Sequence, residues 1–431
     1  MAAESTTPRQ APHPAGDARA TAIMIIKRWL QAGAFPGRLL EDVRHDRAFI
    51  TELVYGVVRH YRALSWVINL YARVPPDREL LPPLLIGLYQ LLLLDDVADY
   101  AAVNETVAYV KQRRPRAETG FVNALLRQVT RTRPECLRRL TQQPPGIRLS
   151  HPDRLLQRWT AHYGADRALK LCEWNNRRAA PTVCANNLLA APERVRADLA
   201  AQDALAGSVK AWNREFLVVS RGVAVPALPG FTEGLWLPVD PAAGAAVQLL
   251  AVQSGQRVLD ACAAPGGKTA LLAADLEGQG ELTAWEPQAA RLQRLQENLL
   301  RLRLESFVRT RQVNALHPPA DAGRFDRILL DVPCSNTGVI RHKPDVRWRF
   351  SLNRMRQLNR LQTALLTAAA GLLRPGGRMV YSTCSLEPEE NRMLVDDWLK
   401  EKSGFRRVDE AVSFPPQSGM DGLYAAAIAC R

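Results

Sequence analysis

The sequence feature that most constrains the fold is a change of pattern near residue 256. From Gln256 onward, short apolar segments alternate with longer amphipathic ones. This alternation is typical of βαβ units joined into a mostly parallel sheet. Helices that cover the sheet are predicted over Pro287–Leu304 and Leu352–Leu373. Strands are predicted over Arg257–Ala261, Glu281–Trp285, Phe307–Gln312, Phe325–Asp331 and Arg378–Thr383. We therefore expect an α/β domain, bounded at about 242–431.

The chain before this domain has a different character. Residues 18–145 repeat apolar positions every three or four residues, which predicts an all-helical domain. Residues 146–241 combine an arginine-rich helical stretch with alternating segments, which predicts a small α+β connecting subdomain. Residues 1–17 are rich in Pro, Ala, Ser and Thr, so we predict a disordered leader. The predicted helices are Ala22–Leu30, Phe49–Val58, Leu64–Tyr71, Leu84–Leu94, Val103–Arg113 and Gly120–Thr130.

The charge balance points to a polyanionic partner. The 431 residues include 57 Lys and Arg against 43 Asp and Glu, a formal net charge of +14. This excess favours binding to nucleic acid, although an arginine-rich coding bias would give the same composition. The seven cysteines form no CxxC pair and no zinc pattern with histidine. We therefore expect no bound metal. No apolar stretch is long enough to cross a bilayer, so we expect a cytoplasmic protein.

A candidate ligand loop follows the first predicted strand of the α/β domain. Cys262–Lys268 is built of small residues and leads into a helix, so a ligand could approach the backbone closely. The loop lacks the spacing of both common phosphate-binding motifs. Glu286 ends the next strand, where a carboxylate can hold ribose hydroxyls. A plain glycine-rich turn and a helix-start acid are the alternatives, but together the features favour a nucleoside-type cofactor.

Two cysteines follow two later strands. Cys334 lies three residues after Asp331 at the end of the fourth predicted strand, and Cys384 directly follows the fifth. Ligand sites in open α/β sheets lie beyond the carboxyl ends of the strands, so both thiols should face one crevice. Two thiols and an acid in one pocket suggest covalent chemistry with proton transfer. Two inert buried cysteines are the alternative.

Three longer motifs carry a family resemblance. The stretches 260–269 (DACAAPGGKT), 331–349 (DVPCSNTGVIRHKPDVRWR) and 372–391 (LLRPGGRMVYSTCSLEPEEN) closely resemble bacterial 16S ribosomal RNA (cytosine-5)-methyltransferases of the RsmB type, also called Fmu or Sun. Residues 120–127 (GFVNALLR) resemble the signature of their NusB-like RNA-binding domain. The resemblance implies a NusB-like helical domain, the connecting subdomain and a Rossmann-like S-adenosylmethionine-dependent methyltransferase domain.

The resemblance also implies roles for matching residues. The residue matching Cys384 is the family's nucleophile, and the one matching Cys334 assists product release. Asp331 borders both the cofactor and the target base. Glu286 matches the acid that binds ribose, and Asn314 stands where an Asp usually meets adenine. The cofactor, S-adenosylmethionine, is then expected to contact Cys262, Ala263, Ala264, Pro265, Gly266, Gly267, Lys268, Glu286, Asn314 and Asp331.

The chemistry explains these residue types. Carbon 5 of cytosine is a weak nucleophile, so the Cys384 thiolate first adds to carbon 6. Asp331, protonated or paired with Lys268, offsets the charge that develops at ring N3. A base then removes the carbon 5 proton so that the thiol leaves, a step in which Cys334 helps. The base must be unpaired or flipped out of its stack.

A basic loop after Cys334 suggests the RNA contact. Cations there interleave with an aromatic ring, which suits phosphates and stacked bases, although a solvated charged loop is the alternative. The predicted RNA-binding residues are Arg341, Lys343, Arg347 and Trp348. The resemblance implies 16S rRNA as the partner, and we expect a monomer.

The sequence departs from the family pattern at Asn314, at Asn336, which replaces the usual Gly, and at 239–244, which lacks the usual glutamines.

Alternative functions are the same reaction on tRNA or another rRNA site, and a non-catalytic RNA-binding protein. Methylation of an exocyclic amine is disfavoured, because that chemistry uses a different loop and needs no thiol.

Overall fold

The computed structural model describes residues 15–430, with side chains from residue 18. The predicted disordered leader lies outside the described residues, except for the backbone of its last three, which begin the first helix. The chain forms two compact units. The first comprises the residues up to Ala161 together with Lys343–Trp348, and the second comprises 162–342 and 349–431. The predicted boundaries at 145/146 and 241/242 stay predictions.

The first unit is helical, as its periodicity predicts. Its core consists of fully buried aliphatic side chains such as Leu53, Leu84 and Leu126. Two of the predicted helices join into one long helix with a kink at His60, where φ is −106° and ψ is 15°. The helices are α1 (Ala15–Ala32), α2 (Pro36–Glu41), α3 (Arg47–Tyr71), α4 (Leu81–Leu93), α5 (Asp99–Lys111), α6 (Arg116–Arg131), α7 (Arg133–Thr141), α8 (Pro145–Arg148) and α9 (Asp153–Tyr163, whose last two residues belong to the second unit).

One turn signal in the sequence has a different outcome. Pro82 and Pro83 are predicted to separate helices, but they lie in the first turn of α4. Proline is tolerated there because the first N–H groups of a helix have no partner within the helix.

Among the described residues, no helix combines the length and the apolar character that crossing a membrane requires.

The second unit contains two sheets with flanking helices. Its helices are α10 (Ala165–Asn176), α11 (Pro192–Ala200), α12 (Ala243–Leu250), α13 (Gly267–Asp275), α14 (Ala289–Arg301), α15 (Val346–Arg349, whose first three residues belong to the first unit), α16 (Leu352–Gly371), α17 (Arg392–Glu401) and α18 (Pro415–Ser418). Its strands are β1 (Thr182–Ala185), β2 (Leu205–Ala211), β3 (Arg214–Val219), β4 (Trp236–Pro238), β5 (Arg257–Asp260), β6 (Glu281–Trp285), β7 (Val308–Arg311), β8 (Phe325–Asp331), β9 (Leu373–Thr383), β10 (Phe405–Ser413) and β11 (Leu423–Cys430).

The larger sheet confirms the predicted Rossmann-like fold. Its strand order is β10-β11-β9-β8-β5-β6-β7, with β5 to β9 parallel and β11 antiparallel to both of its neighbours. A smaller antiparallel sheet, β2-β3-β1-β4, precedes it. Because β5, β6, β8 and β9 are parallel, their carboxyl ends meet at one edge, where open α/β sheets bind ligands.

Two features of this sheet differ from the sequence reading. Strand β9 begins at Leu373, five residues earlier than predicted, and takes in the Pro-Gly-Gly that was expected to end a helix. Strands β10 and β11 were not predicted. Most of β11 is buried, and its alanines lie on a strand that is paired on both sides. Strand preference depends on this packing more than on the intrinsic tendency of the residue.

Candidate active site at the sheet edge

The small-residue segment after β5 makes the turn into α13. Gly266 has a left-handed backbone with φ of 107°, and a Cβ added there would lie 2.7 Å from Leu295 Cδ1. The position therefore requires glycine. The first N–H groups of α13 have no acceptor within the helix. The turn thus offers backbone donors and little side-chain bulk to a ligand.

Two buried acids flank this turn. Asp260, the last residue of β5, accepts a hydrogen bond of 2.7 Å from Thr269 Oγ1, and burial raises the pKa of Asp260 to about 6. Glu286 directly follows β6 and is 1% exposed. One Glu286 oxygen accepts the N–H of Gln288 at 3.1 Å, and the other lies 3.5 Å from Arg291. Arg291 in turn donates to the Ala264 carbonyl at 2.8 Å, which links Glu286 to the turn.

A lysine-carboxylate pair joins α13 to the end of β8. Lys268 Nζ lies 2.6 Å from Asp331 Oδ2, and Ser382 Oγ donates to Asp331 Oδ1 at 2.8 Å. Burial acts to lower the pKa of Lys268, but the charge and hydrogen bond of Asp331 outweigh it and raise that pKa. The lysine therefore stays protonated. The pair brings together two residues that are 63 positions apart in sequence.

The two predicted thiols are in contact. Cys334 Sγ and Cys384 Sγ lie 3.3 Å apart, across loops that follow adjacent strands. Cys334 is 8% exposed, whereas Cys384 is partly exposed. The hydrogen bond to Cys384 and burial raise the pKa of Cys334 well above its ordinary value. The more accessible of the two sulfurs is thus that of Cys384.

Asn336 connects both cysteine loops. Its backbone is left-handed, with φ of 61° and ψ of 22°, a conformation that glycine adopts freely and asparagine tolerates. Its Nδ2 group donates to the Cys334 carbonyl at 2.8 Å. Its Oδ1 then faces Cys384 Sγ at 3.2 Å and accepts from that thiol. The departure from the family's glycine therefore keeps the loop conformation and adds a contact to a cysteine.

The predicted RNA-binding residues differ in burial. Arg347 is fully buried in the first unit, where it donates to the carbonyls of Arg59 and Ser150 at 3.2 and 3.1 Å. Trp348 donates to the Val58 carbonyl at 2.7 Å in the same unit. Arg347 thus has a packing role, which corrects its prediction as an RNA contact, because a buried guanidinium offers no surface to a phosphate. Trp348 is partly exposed, and its RNA contact stays a prediction.

The other two predicted RNA-binding residues, Arg341 and Lys343, are also accessible to solvent. Lys343 is exposed. Arg341 is partly exposed and stacks on the Trp174 ring, with Cζ 4.1 Å from the ring centroid. The RNA-contact prediction is retained for these two residues.

Asn314 lies apart from the contacts described above. It is exposed, and its Oδ1 accepts the N–H of Leu316 at 3.1 Å, which closes a local turn after β7.

Among the described residues, one group of side chains has metal-ligand spacing: Asp240, His342 and Asp421. Within this group, His342 Nε2 lies 3.3 Å from Asp421 Oδ1. The expected lack of a metal stays a prediction.

Sequence reasoning missed three polar residues of the site. Ser382 precedes Cys384 by two positions, the spacing at which strand residues share a face, so the strand prediction contained this signal. Asp260 is visible as an acid at a strand end. Glu390, which contacts both cysteine loops, gives no comparable signal, because it lies beyond the strand in a stretch of several glutamates.

Comparisons with known proteins agree with this geometry. Residues 247–429 match the family model of the 16S rRNA methyltransferase RsmB/F, and residues 17–131 match that of the NusB family. The small subunit rRNA methyltransferase B of Pseudomonas putida is 32% identical over 425 residues, covering 95% of this chain and 96% of the relative. The Serratia proteamaculans protein of the same name is 36% identical over 374 residues, 84% of each chain.

A solved structure extends the likeness to the fold. The crystal structure of PH0851 superposes with a TM-score of 0.79 and covers 97% of this chain and all of its own. The sequence identity is 22%, so this likeness concerns the fold alone.

Proposed function

Because this chain belongs to the 16S rRNA methyltransferase RsmB/F family and is an RNA methyltransferase, we propose that it methylates carbon 5 of a cytosine in 16S rRNA through a covalent Cys384 adduct. The resemblance inferred from the sequence motifs is thereby confirmed. The observation that carries the finer proposal is the 3.3 Å contact between Cys334 and Cys384 beside the Lys268–Asp331 pair. A methyltransferase acting on an amine has no use for two adjoining thiols.

The residues at the turn fit S-adenosylmethionine. Glu286 presents a buried carboxylate at the end of β6, and Gly266 leaves room for a ligand against the backbone. We assign the ribose to Glu286, the methionine end to the Cys262–Lys268 loop and to Asp331, and the adenine to Asn314, whose amide can hydrogen-bond to a ring nitrogen. When bound, this cofactor supplies an electrophilic methyl group.

Cys384 acts as the nucleophile in this proposal. The residue is partly exposed, and it lies near enough to Lys268 for a thiolate there to raise the lysine pKa. The thiolate adds to carbon 6 of cytosine. A sulfur–carbon bond forms, and the electrons of the carbon 5–carbon 6 double bond move into the ring. Lys268 and Asp331 offset the negative charge through N3, and carbon 5 becomes nucleophilic enough to be methylated.

Cys334 acts in release. After methylation, the proton on carbon 5 passes to a base, the double bond re-forms and the sulfur–carbon bond to Cys384 breaks. Cys334 Sγ lies 3.3 Å from the leaving sulfur, so it is placed to take part in this proton transfer. The raised pKa of Cys334 makes its thiolate a strong base once formed.

The names of the relatives support small-subunit rRNA over tRNA as the substrate. The net charge of +14 suits a polyanion. Arg341 and Lys343 remain candidate contacts to the RNA. The cytoplasmic location and monomeric state stay predictions.

Transfer of labelled methyl from S-adenosylmethionine to undermethylated small-subunit RNA tests the nucleophile. We expect Cys384→Ala to abolish labelling while it retains cofactor binding, since the cofactor residues are separate. Equal labelling by wild type and variant would refute the assignment. Bisulfite sequencing of rRNA from a deletion strain would then identify the cytosine.

Cys334→Ala tests the release step. The adduct should form but fail to resolve, so a protein–RNA species that survives denaturing gel electrophoresis should accumulate. Normal turnover without any such species would exclude Cys334 from release.

A further inference from the structure

We propose that Glu390 is a positioning residue that holds the two cysteine loops at their working separation. Glu390 lies in a short turn between β9 and α17 and is fully buried. Its side chain contacts the residues that directly follow the two cysteines. The reaction that this geometry serves rests on the proposed function, whereas the geometry itself does not.

The carboxylate binds one serine from each loop. Ser335 follows Cys334, and its backbone N–H donates to Glu390 Oε1 at 2.9 Å while its hydroxyl donates to Oε2. Ser385 follows Cys384, and its hydroxyl donates to the same Oε2 at 2.6 Å. Each cysteine is therefore one peptide unit from a group that Glu390 binds. Glu390 adds a buried charged link to the bonds that already join the loops, such as that between Ser335 Oγ and Ser385 Oγ at 2.9 Å.

The anchor is itself held in place. Gln362 on α16 donates to Glu390 Oε1 at 3.0 Å and to the Pro333 carbonyl at 2.9 Å. Tyr381 donates through its hydroxyl to the Glu390 carbonyl at 2.7 Å. The side chain and the backbone of Glu390 are thus both fixed, so the loops cannot shift together by moving the anchor.

The chemistry of the contacts requires a carboxylate. All four groups around it, from Ser335, Ser385 and Gln362, act as donors, and a carboxylate is the side chain that only accepts. An amide in its place fits only if both serine hydroxyls turn to accept from its N–H group, so that each gives up the bond that it donates to Glu390. Burial raises the pKa of Glu390, and the donated hydrogen bonds offset part of this effect. Glu390→Gln should therefore preserve volume but weaken the link between the loops.

A dithiol reagent measures the separation directly. Phenylarsine oxide reacts with two neighbouring thiols, forming two As–S bonds as its As–O bond breaks, and the oxygen leaves with both thiol protons as water. The wild type should take up one equivalent that Cys334→Ser abolishes. We expect Glu390→Gln to weaken this uptake by at least about tenfold and to lower kcat by at least as much, since displacements near 1 Å cost about a hundredfold in rate.

Cofactor affinity separates positioning from loss of fold. Glu390→Gln should bind S-adenosylhomocysteine like the wild type, because Glu390 has no contact with the cofactor turn. Glu286→Gln is the matched control, another buried glutamate at the same sheet edge. It should lose cofactor affinity but keep arsenical uptake.

The outcomes are distinct. Wild-type arsenical uptake by Glu390→Gln would overturn the proposal. If that variant fails to fold, Ser385→Ala removes only the hydrogen bond from the Cys384 loop to Glu390 and should still weaken arsenical uptake. Unchanged uptake by Ser385→Ala would also overturn the proposal. Methyl transfer by Cys384→Ala would refute the proposed function, yet it would leave the arsenical result for Glu390 standing.

Discussion

Replacing Asn336 by glycine should make Cys384 more reactive. In the structure Asn336 Nδ2 faces the Cys334 carbonyl, so Oδ1 must face Cys384 Sγ, at 3.2 Å. An oxygen acceptor stabilises the thiol and opposes the thiolate, which is the nucleophile. Asn336→Gly removes the acceptor and retains the left-handed backbone, because φ of 61° suits glycine.

The size of the effect follows from one hydrogen bond. A neutral hydrogen bond contributes about 0.5–1 kcal/mol, and a bond donated by sulfur belongs at the low end. At 1.36 kcal/mol for each unit of pKa, the reactivity midpoint should move down by about 0.4–0.7 pH unit. Below the midpoint, the thiolate fraction and the alkylation rate should then rise about threefold.

Iodoacetamide alkylation measured against pH tests this prediction, with the Cys384 peptide read by mass spectrometry. Asn336→Asp is the matched control, because it places a negative charge beside the sulfur and should move the midpoint the opposite way. Burial and a raised pKa keep Cys334 slow to react, so its signal is separate. An unchanged or higher midpoint in Asn336→Gly, with an unchanged melting temperature, would show that the amide does not govern Cys384.

Three further outcomes follow from the described contacts. Arg347→Met leaves two buried carbonyls without their donor and should destabilise the fold by about 2–5 kcal/mol, seen as a lower melting temperature, whereas an unchanged melting temperature with weaker RNA binding would restore its RNA role. The pKa of Asp260, raised from 3.8 to about 6, favours the folded state at low pH and costs stability as pH rises through 6. Asp260→Asn should therefore gain about 2.4 kcal/mol relative to wild type between pH 4 and 7.5, and a pH-independent difference in urea unfolding would contradict this. Gly266 has φ of 107°, and a Cβ added there would lie 2.7 Å from Leu295 Cδ1. Gly266→Ala therefore strains the turn by about 1–3 kcal/mol, and a turn that shifts to relieve this strain should bind S-adenosylhomocysteine at least about tenfold more weakly. Wild-type affinity by calorimetry would contradict this prediction.

Local sequence patterns were sufficient for most of the parallel sheet. Strands β5, β6 and β8 are short apolar segments whose ends carry Asp260, Glu286 and Asp331, and their bounds match the predictions within a residue. The reason is that alternation of strand and helix leaves few topologies, and each strand signals its own ends. Strand β11 failed this test, because alanine has low intrinsic strand preference.

Roles that depend on burial could not be predicted in this way. The run of cations and an aromatic residue around Arg347 is typical of an RNA-binding loop, yet Arg347 is fully buried. Charge in a sequence predicts exposure only on average, since a buried guanidinium is tolerated wherever carbonyl acceptors meet it. Those acceptors, the carbonyls of Arg59 and Ser150, lie 288 and 197 positions away along the chain.

The sequence by itself determined the two fold types, the family and the identity of the thiols, because these depend on periodicity and on motifs of neighbouring residues. Only the tertiary structure decided that Cys334 and Cys384, 50 residues apart, meet at 3.3 Å. It also decided that Asn336 and Glu390 contact their loops. Distances of this kind depend on strand order and register, which arise from packing across the whole sheet.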